Sequence, residues 1–142
     1  MDFLINIIGV FFLISTILLF YMIFYQNKKE NNYQGKYKFY ICYKGKNNII
    51  SSDLELIGDN QCIVLKRSQT LFGRNEKADV IINDNLMSGK HFVIRIIEDS
   101  CSIIDCNSLN GTFVNGSRIS IKSIFPGDSI LAGQTLMTFC KR

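Results

Sequence analysis

This chain contains many short segments in which apolar and polar residues alternate as in β-strands. Turn residues separate these segments, and the pattern limits the folds that the chain can adopt. In residues 36–43, every second residue is aromatic or aliphatic, namely Tyr37, Phe39, Ile41 and Tyr43. A period of two is typical of a half-buried strand. Further segments of this type are predicted at residues 49–57, 62–67, 70–73, 79–82, 90–97, 101–105, 129–132 and 135–140. We therefore expect an all-β, antiparallel β-sandwich.

Turn residues separate the predicted strands. Val114 and Ser117 flank Asn115-Gly116, and this pair is preferred in two-residue hairpin turns. Gly-rich or Pro-containing turns are also predicted at residues 45–48, 58–60 and 126–128. The region has no helical period.

The N-terminal segment has a different character. Residues 3–25 carry no charge, and as a helix they would be ~34 Å long at ~1.5 Å per residue, enough to cross a hydrocarbon core of ~30 Å. We expect a transmembrane helix over residues 1–25 and a polar linker over 26–35. A cleaved signal peptide needs a basic start and a small-residue cleavage site, which this segment lacks. A fully buried core helix is the remaining alternative, since apolar residues on every face leave no side for water.

The charges around this segment predict its orientation. Lys28 and Lys29 follow it directly, whereas the short N-terminal end carries Asp2. The positive-inside rule then places the C-terminal domain, residues 36–142, in the cytoplasm, with a single membrane span. All sixteen basic and eleven of the twelve acidic residues follow the apolar segment, a net charge of +5. That charge favours acidic partners without choosing among them.

The five cysteines do not have the spacing of a metal site. No Cys-x-x-Cys pair occurs among Cys42, Cys62, Cys101, Cys106 and Cys140, and a zinc site needs closely spaced pairs. We therefore expect no metal site. We expect the cysteines to be small apolar core residues of a protein in a reducing compartment.

Polar residues at three places suit an anionic ligand. They are Gly73-Arg74, Ser88-Gly89-Lys90-His91 and Asn110-Gly111, with fourteen residues from Arg74 to Ser88 and twenty-two from Ser88 to Asn110. Arginine and lysine supply positive charge and hydrogen-bond donors, and serine and asparagine add neutral donors. Such a set suits an anionic ligand, for example a phosphate group.

The order and spacing of these residues resemble the forkhead-associated (FHA) domain, a module that binds phosphothreonine peptides. The resemblance covers roughly residues 60–141, with a motif core at 73–116. It implies a β-sandwich whose ligand site lies in loops at one end, in agreement with the strand pattern.

The resemblance also implies roles for the residues. Arg74 and Ser88 would bind the phosphate, and Asn110 the ligand backbone. The alternatives are a surface salt bridge from Arg74 to Glu76 or Asp79 and a plain turn role for Ser88. Asn110 can also serve as a turn residue, and there the two roles can hold together.

Other positions of the pattern also belong to the implied site, and some of them differ from the residues that are usual in the family. Gly89 and Lys90 stand between Ser88 and His91, where relatives often carry a side chain that reaches the ligand, and Leu109 stands where many have threonine. Gly89 offers only its N–H group, whereas Lys90 is basic. Structural support is implied for Gly73, His91, Asp105 and Gly111. A catalytic role for His91 has no nucleophile or acid at a usual spacing.

Taken together, the sequence predicts a membrane-anchored adaptor that binds Thr-phosphorylated proteins downstream of a Ser/Thr kinase. It would need no cofactor and catalyse no reaction, since no metal set, triad or carboxylate pair is found. The main alternative is a phosphate-independent scaffold on the same fold, which Gly89 and Leu109 favour. Nucleic-acid binding is disfavoured because the basic residues are dispersed. Residues 111–118 have the glycine spacing of a nucleotide-binding phosphate loop, but they lack its Lys-Ser/Thr pair. Nucleotide binding is therefore disfavoured as well.

Overall fold

The computed structural model describes residues 13–25, 35–44, 49–57 and 60–142. The start of the predicted transmembrane helix and most of the predicted linker lie outside these residues. The chain divides into two compact units, Met1–Asn32 and Tyr33–Arg142.

In the first unit, residues 13–25 form a helix. Its large apolar side chains are exposed, from 49% at Ile14 to 76% at Phe20. The Thr16 hydroxyl donates a hydrogen bond to the Leu13 carbonyl at 2.8 Å. Among the described residues, no helix reaches the length and apolar content needed to cross a bilayer.

The described residues of the second unit form thirteen strands. They are β1 (Phe39–Tyr43), β2 (Ile49–Ile50), β3 (Leu54–Ile57), β4 (Asn60–Val64), β5 (Gln69–Gly73), β6 (Val80–Ile82), β7 (Phe92–Ile97), β8 (Ser100–Asp105), β9 (Thr112–Val114), β10 (Ser117–Ile119), β11 (Ile121–Ile124), β12 (Ser129–Ala132) and β13 (Thr135–Lys141). Each segment predicted as a strand overlaps at least one strand, with bounds that differ by a few residues, and residues 49–57 contain two. β11 was not predicted from the sequence.

The strands form two sheets, which confirms the predicted all-β sandwich. One sheet has the order β10-β9-β12-β13-β1-β4-β3, and the other β11-β8-β7-β5-β6-β2. The prediction of a purely antiparallel arrangement is wrong at one place, since β5 and β6 pair in parallel. The chain between Gly73 and Val80 crosses the end of the sheet rather than turning back as a hairpin, and this crossing carries Arg74.

Alternate residues of both sheets form one core. The predicted row on β1 does face inwards, since Phe39, Ile41 and Tyr43 are buried in it. Phe72 stacks on Phe92 with ring centroids 4.6 Å apart. Burial of each such side chain contributes roughly 1.5–3 kcal/mol, and this pair stabilises β5 and β7 next to the polar loops.

The predicted turn at Asn115-Gly116 joins β9 to β10. Both residues have positive φ, 52° and 79°, as a type I′ hairpin turn requires. The Asn115 amide donates to Asp128 at 2.8 Å and its oxygen accepts from the Ser129 N–H at 2.9 Å. The turn is thereby fixed to the start of β12.

The structure corrects the expectation for two of the cysteines. Cys42 on β1 lies directly opposite Cys62 on β4, and the two form a disulfide. Cys101, Cys106 and Cys140 are free thiols, and burial raises the pKa of Cys101 to about 12. Strand register places the two bonded sulfurs together, and their spacing in the sequence could not reveal it.

Candidate functional site

Three polar loops meet at one end of the six-stranded sheet. Phe72, near the end of β5, pairs with Phe92 at the start of β7, and Phe92 pairs with Asp105 at the end of β8. The β5–β6, β6–β7 and β8–β9 loops therefore leave the same edge. These loops carry Arg74, residues 88–91 and residues 109–111 respectively.

Backbone hydrogen bonds place Arg74 beside Ser88. The Arg74 N–H donates to the Ser88 carbonyl at 3.0 Å, and the Asn75 N–H donates to the Gly89 carbonyl at 3.1 Å. The two residues expected to bind phosphate are thus neighbours on facing segments. The first and second loops are joined at this point.

Gly73 makes this close approach possible. A Cβ atom at this position would lie 2.1 Å from the Gly89 carbonyl oxygen and 2.8 Å from its carbon. Both of these are backbone atoms, so no side chain can rotate away. Only glycine fits here without separating the two loops.

The Arg74 side chain is exposed, and within the described ranges its guanidinium forms neither an ion pair nor a hydrogen bond. The alternative partner Asp79 is engaged elsewhere. It pairs with Arg67 and accepts the Leu71 N–H at 2.8 Å. The guanidinium fork is therefore accessible to a ligand from solvent.

Ser88 forms hydrogen bonds through its side-chain oxygen and its backbone N–H, and its hydroxyl hydrogen is still able to donate. Its Oγ accepts the Leu109 N–H at 2.9 Å, and its own N–H donates to His91 Nδ1 at 2.9 Å. Because Oγ acts as an acceptor in the first bond, the O–H group retains its donor capacity. A phosphate oxygen is a suitable acceptor for it.

His91 joins two of the loops from the interior. It is fully buried, and its Nε2 lies 3.1 Å from the Gly111 carbonyl oxygen. Since Nδ1 accepts from Ser88, we assign the proton of the neutral ring to Nε2. Burial lowers the pKa of His91, despite the opposing effects of Gly111 and Asp105. The buried ring braces the loops and is not accessible from the surface.

Asp105 fixes the β8–β9 loop at its start. Its carboxylate accepts from the Ser108 hydroxyl at 2.5 Å, the Ser108 N–H at 3.0 Å and the Thr112 hydroxyl at 2.6 Å. Burial alone would raise the pKa of Asp105, but these hydrogen bonds hold it below its usual range. Gly111 in this loop has φ +84°, a backbone conformation that favours glycine.

Asn110 connects this loop to the β6–β7 loop. Its side chain is exposed, and its Nδ2 donates to the Leu86 carbonyl at 2.7 Å. The amide oxygen then remains to accept an N–H group from an extended peptide. The bond to Leu86 fixes the turn and leaves the amide oxygen available, so the turn role does not exclude a binding role.

Two residues of the site were missed in the sequence. Asp84 is buried, and its carboxylate accepts from the Leu86 N–H at 2.9 Å, the Gln134 N–H at 2.7 Å and the Thr135 hydroxyl at 2.8 Å. It fixes the β6–β7 loop to the start of β13. An Asp two residues before a loop N–H is a turn signal that can be seen in the sequence. A hydrogen-bond partner fifty residues away leaves no local signal in the sequence.

Asn75 is the second missed residue. Its Cβ and Nδ2 lie 3.4 and 3.7 Å from where a Cβ of Gly89 would stand. Its Oδ1 accepts the Lys77 N–H at 3.0 Å, which directs the NH₂ group away from that bond. The amide of Asn75 thus lies beside the position of the missing side chain of Gly89.

Lys90 is exposed next to these loops. Burial raises the pKa of Cys106, and the positive charge of Lys90 partly opposes that rise. The ammonium group is therefore within electrostatic range of Cys106. Leu109, at the tip of the β8–β9 loop, is 86% exposed.

The segment that carries these loops matches a known protein family. Residues 70–133 match the family model of the FHA domain. The predicted FHA domain is confirmed over this segment.

Curated relatives cover part of the chain. The oxoglutarate dehydrogenase inhibitor of Corynebacterium efficiens is 32% identical over 76 residues, which are 54% of this chain and 54% of the relative. The glycogen accumulation regulator GarA of Mycobacterium tuberculosis is 28% identical over 76 residues, 54% of this chain and 47% of that protein. The match therefore spans about half the length of these relatives.

Solved structures share the fold. The FHA domain of the CT664 protein from Chlamydia trachomatis superposes with a TM-score of 0.61 at 21% identity, over 72% of this chain and 96% of that one. Mycobacterium tuberculosis EmbR, solved in complex with a low-affinity phosphopeptide, has a TM-score of 0.57 at 26% identity, over 70% of this chain and 24% of that one.

Proposed function

Starting from an FHA domain over residues 70–133, we propose that this protein is an adaptor that binds phosphothreonine in partner proteins and catalyses no reaction. The phosphate would lie against Arg74 and Ser88, and Asn110 would accept a backbone N–H of the peptide. A Ser/Thr kinase must then act on the partner.

The observation that carries the proposal is the adjacency of Arg74 and Ser88. Their segments are joined by a backbone hydrogen bond of 3.0 Å. Arg74 supplies an exposed guanidinium, and Ser88 supplies a hydroxyl donor. Each hydrogen bond to a charged group contributes roughly 1.5–3 kcal/mol. Two or three such bonds account for much of the roughly 8 kcal/mol that micromolar affinity requires.

We further propose that the domain is attached to the cell membrane by its N-terminal segment and lies in the cytoplasm. The uncharged residues 3–25, the exposed apolar side chains of the helix at residues 13–25 and the two lysines that follow support this. Resistance of the full chain to alkaline extraction from membranes would be expected, and release into the supernatant would contradict it.

The disulfide bears on this location. In a reducing cytoplasm, Cys42 and Cys62 would be held as thiols. Because Cys62 is buried, cells are quenched in acid and the protein is denatured before maleimide is added, and both cysteines should then be modified. Protection of the pair from alkylation would favour an oxidising compartment and contradict the proposed orientation.

The binding test uses the full chain in detergent micelles and isothermal titration calorimetry. A phosphothreonine peptide library identifies a binding peptide, which is compared with its unphosphorylated and phosphoserine forms. Arg74→Ala should weaken binding at least tenfold, whereas Lys77→Ala, a change in an exposed residue of the same loop, should not.

A phosphate-independent scaffold is the second candidate. Gly89 and Leu109 favour it, because neither offers a side-chain donor at positions where relatives of this module often have one. Equal affinity for phosphorylated and unphosphorylated peptides, unaffected by Arg74→Ala, would establish this candidate and remove the first.

A further inference from the structure

The two ends of the sandwich carry different residues, and β13 connects them. Its first residue, Thr135, lies at the end with the phosphopeptide loops, because its hydroxyl donates to Asp84 of the β6–β7 loop at 2.8 Å. Its last residue, Lys141, lies opposite Phe39 at the start of β1. A strand of seven residues spans roughly 20 Å at about 3.3 Å per residue. We call the end of the domain that contains Lys141 the distal end.

Four exposed basic residues lie together at the distal end. The Lys38 N–H donates to the Arg142 carbonyl at 2.8 Å, and the Arg142 N–H donates back to the Lys38 carbonyl at 2.9 Å. The ammonium groups of Lys36 and Lys141 lie over the ring of Tyr37, 5.5 and 3.5 Å from its centroid. These contacts bring four positive charges onto two adjacent segments of the chain. We call them the distal basic cluster: Lys36, Lys38, Lys141 and Arg142.

An exposed aromatic ring adjoins this cluster. Phe125 is 67% exposed at the start of the β11–β12 loop, and it lines the same cavity as Lys141. The Phe125 N–H donates to Asp128 at 2.8 Å, and the Gly127 N–H donates to the Phe139 carbonyl at 2.8 Å, so the loop is fixed against β13. Single exposed apolar residues are common, but an aromatic ring beside several cations is typical of surfaces that bind anionic membranes.

Acidic residues at this end limit its charge. Glu98 and Asp99 are exposed on the β7–β8 turn of the other sheet. Asp128 accepts hydrogen bonds from the Phe125 N–H and the Asn115 amide. Together with the four basic residues, these three leave a net charge of 4 − 3 = +1. Attraction at long range is therefore small, and binding to an anionic surface requires close contact of the basic side chains together with burial of the ring.

We propose that the distal end docks on an anionic membrane surface, with Phe125 inserted among the headgroups and the distal basic cluster against the lipid phosphates. The inference rests on the proposed attachment of the domain to the cell membrane. Only the ten residues 26–35 separate the apolar segment from Lys36, and ten residues reach at most about 35 Å. This tether gives the distal end a high effective concentration at the membrane, so that weak contacts suffice for docking.

Docking would orient the binding site. The loops that carry Arg74, Ser88 and Asn110 lie at the opposite end from the distal basic cluster. With the distal end on the membrane, these loops face away from the lipid, where a phosphorylated partner can reach them. A flexible tether alone allows every orientation of the domain, so the docked surface adds a specific one.

The chain contains no tryptophan, so single-tryptophan variants report the depth of chosen positions. The full chain is reconstituted into nanodiscs of phosphatidylcholine and phosphatidylserine, with and without bromine on the acyl chains. In Phe125→Trp, we expect tryptophan emission at shorter wavelength and strong quenching by the brominated lipid. Leu109→Trp is the matched control, because Leu109 is 86% exposed at the opposite end, and its emission should not be quenched.

Charge reversal in the Phe125→Trp background tests the distal basic cluster. Each basic residue close to an anionic leaflet strengthens binding about fivefold, so Lys38→Glu/Arg142→Glu should lower the ratio of docked to undocked domain by about tenfold or more. Lys77→Glu/Lys90→Glu makes the same charge change at the opposite end and should leave the quenching unchanged. Nanodiscs of phosphatidylcholine alone should quench less. The unfolding temperature of each variant is compared with that of wild type.

Four results would contradict the inference, and they are distinguishable. Equal quenching of the Phe125→Trp and Leu109→Trp chains would show that neither end is preferred. Unquenched emission from a Phe125→Trp chain that copurifies with nanodiscs would contradict docking and leave the attachment intact. Quenching that neither charge reversal nor removal of phosphatidylserine changes would contradict the role of the distal basic cluster. A chain that does not enter nanodiscs would contradict both attachment and docking, whereas calorimetry with a phosphothreonine peptide tests the adaptor role separately.

Discussion

Replacement of Gly73 by alanine should disrupt the binding site and destabilise the domain. The added Cβ would stand 2.1 Å from the Gly89 carbonyl oxygen, a separation that real Cβ contacts do not reach. Relief requires the β5–β6 and β6–β7 loops to move apart, and the 3.0 Å hydrogen bond from Arg74 to Ser88 would be lost. Arg74 and Ser88 would then no longer be adjacent.

The cost can be assessed from similar changes. Overpacking by one methyl group costs about 1–3 kcal/mol, and the lost hydrogen bond adds about 1 kcal/mol. For a domain of this size, each kcal/mol lowers the unfolding temperature by roughly 4 °C. We therefore expect a decrease of about 8–16 °C, together with a tenfold or greater loss of phosphopeptide affinity.

Gly89→Ala is the matched control, because this glycine lies on the opposite side of the same contact. Its added Cβ would approach the Asn75 Cβ at 3.4 Å, an ordinary van der Waals distance. Scanning calorimetry and peptide titration of both variants complete the assay. If Gly73→Ala unfolded at the wild-type temperature and bound the peptide equally well, the close approach of the two loops would be refuted.

Three further predictions concern other residues. Burial lowers the pKa of His91, so between this value and the unfolded value of about 6.5 the unfolded chain binds more protons. The unfolding temperature should fall as the pH drops below about 6.5, and His91→Gln should reduce this dependence. Replacing Cys42 and Cys62 by serine should cost about 3 kcal/mol in urea unfolding, from the 20-residue separation, and the difference from wild type should disappear in reductant. Leu109→Thr should tighten phosphopeptide binding up to about tenfold by adding a hydroxyl donor, and a calorimetric affinity at or below that of wild type would contradict this.

The strands were predictable because their signal is local. The alternation at Phe39, Ile41 and Tyr43 requires only a period of two, and the turn at Asn115-Gly116 requires only its own φ angles. These features can be read in the sequence without knowing the partner strands. The all-β sandwich followed from them.

The site was predictable only as far as the spacing of its residues extends. Arg74 and Ser88 were identified from their order in the chain, but the contribution of Asn75 depends on the approach of two loops. Buried Asp84 depends on partners near residue 135. The same limit applies to the disulfide, since a one-residue change of register would separate Cys42 from Cys62.

The most direct test of the phosphothreonine site maps the bound peptide on the domain by amide chemical shifts. Titration of the full chain in micelles with a phosphothreonine peptide should shift the amides of Arg74, Ser88, Leu109 and Asn110, and the unphosphorylated peptide should not. Unchanged amides at these four residues, with binding that Arg74→Ala does not weaken, would contradict the account.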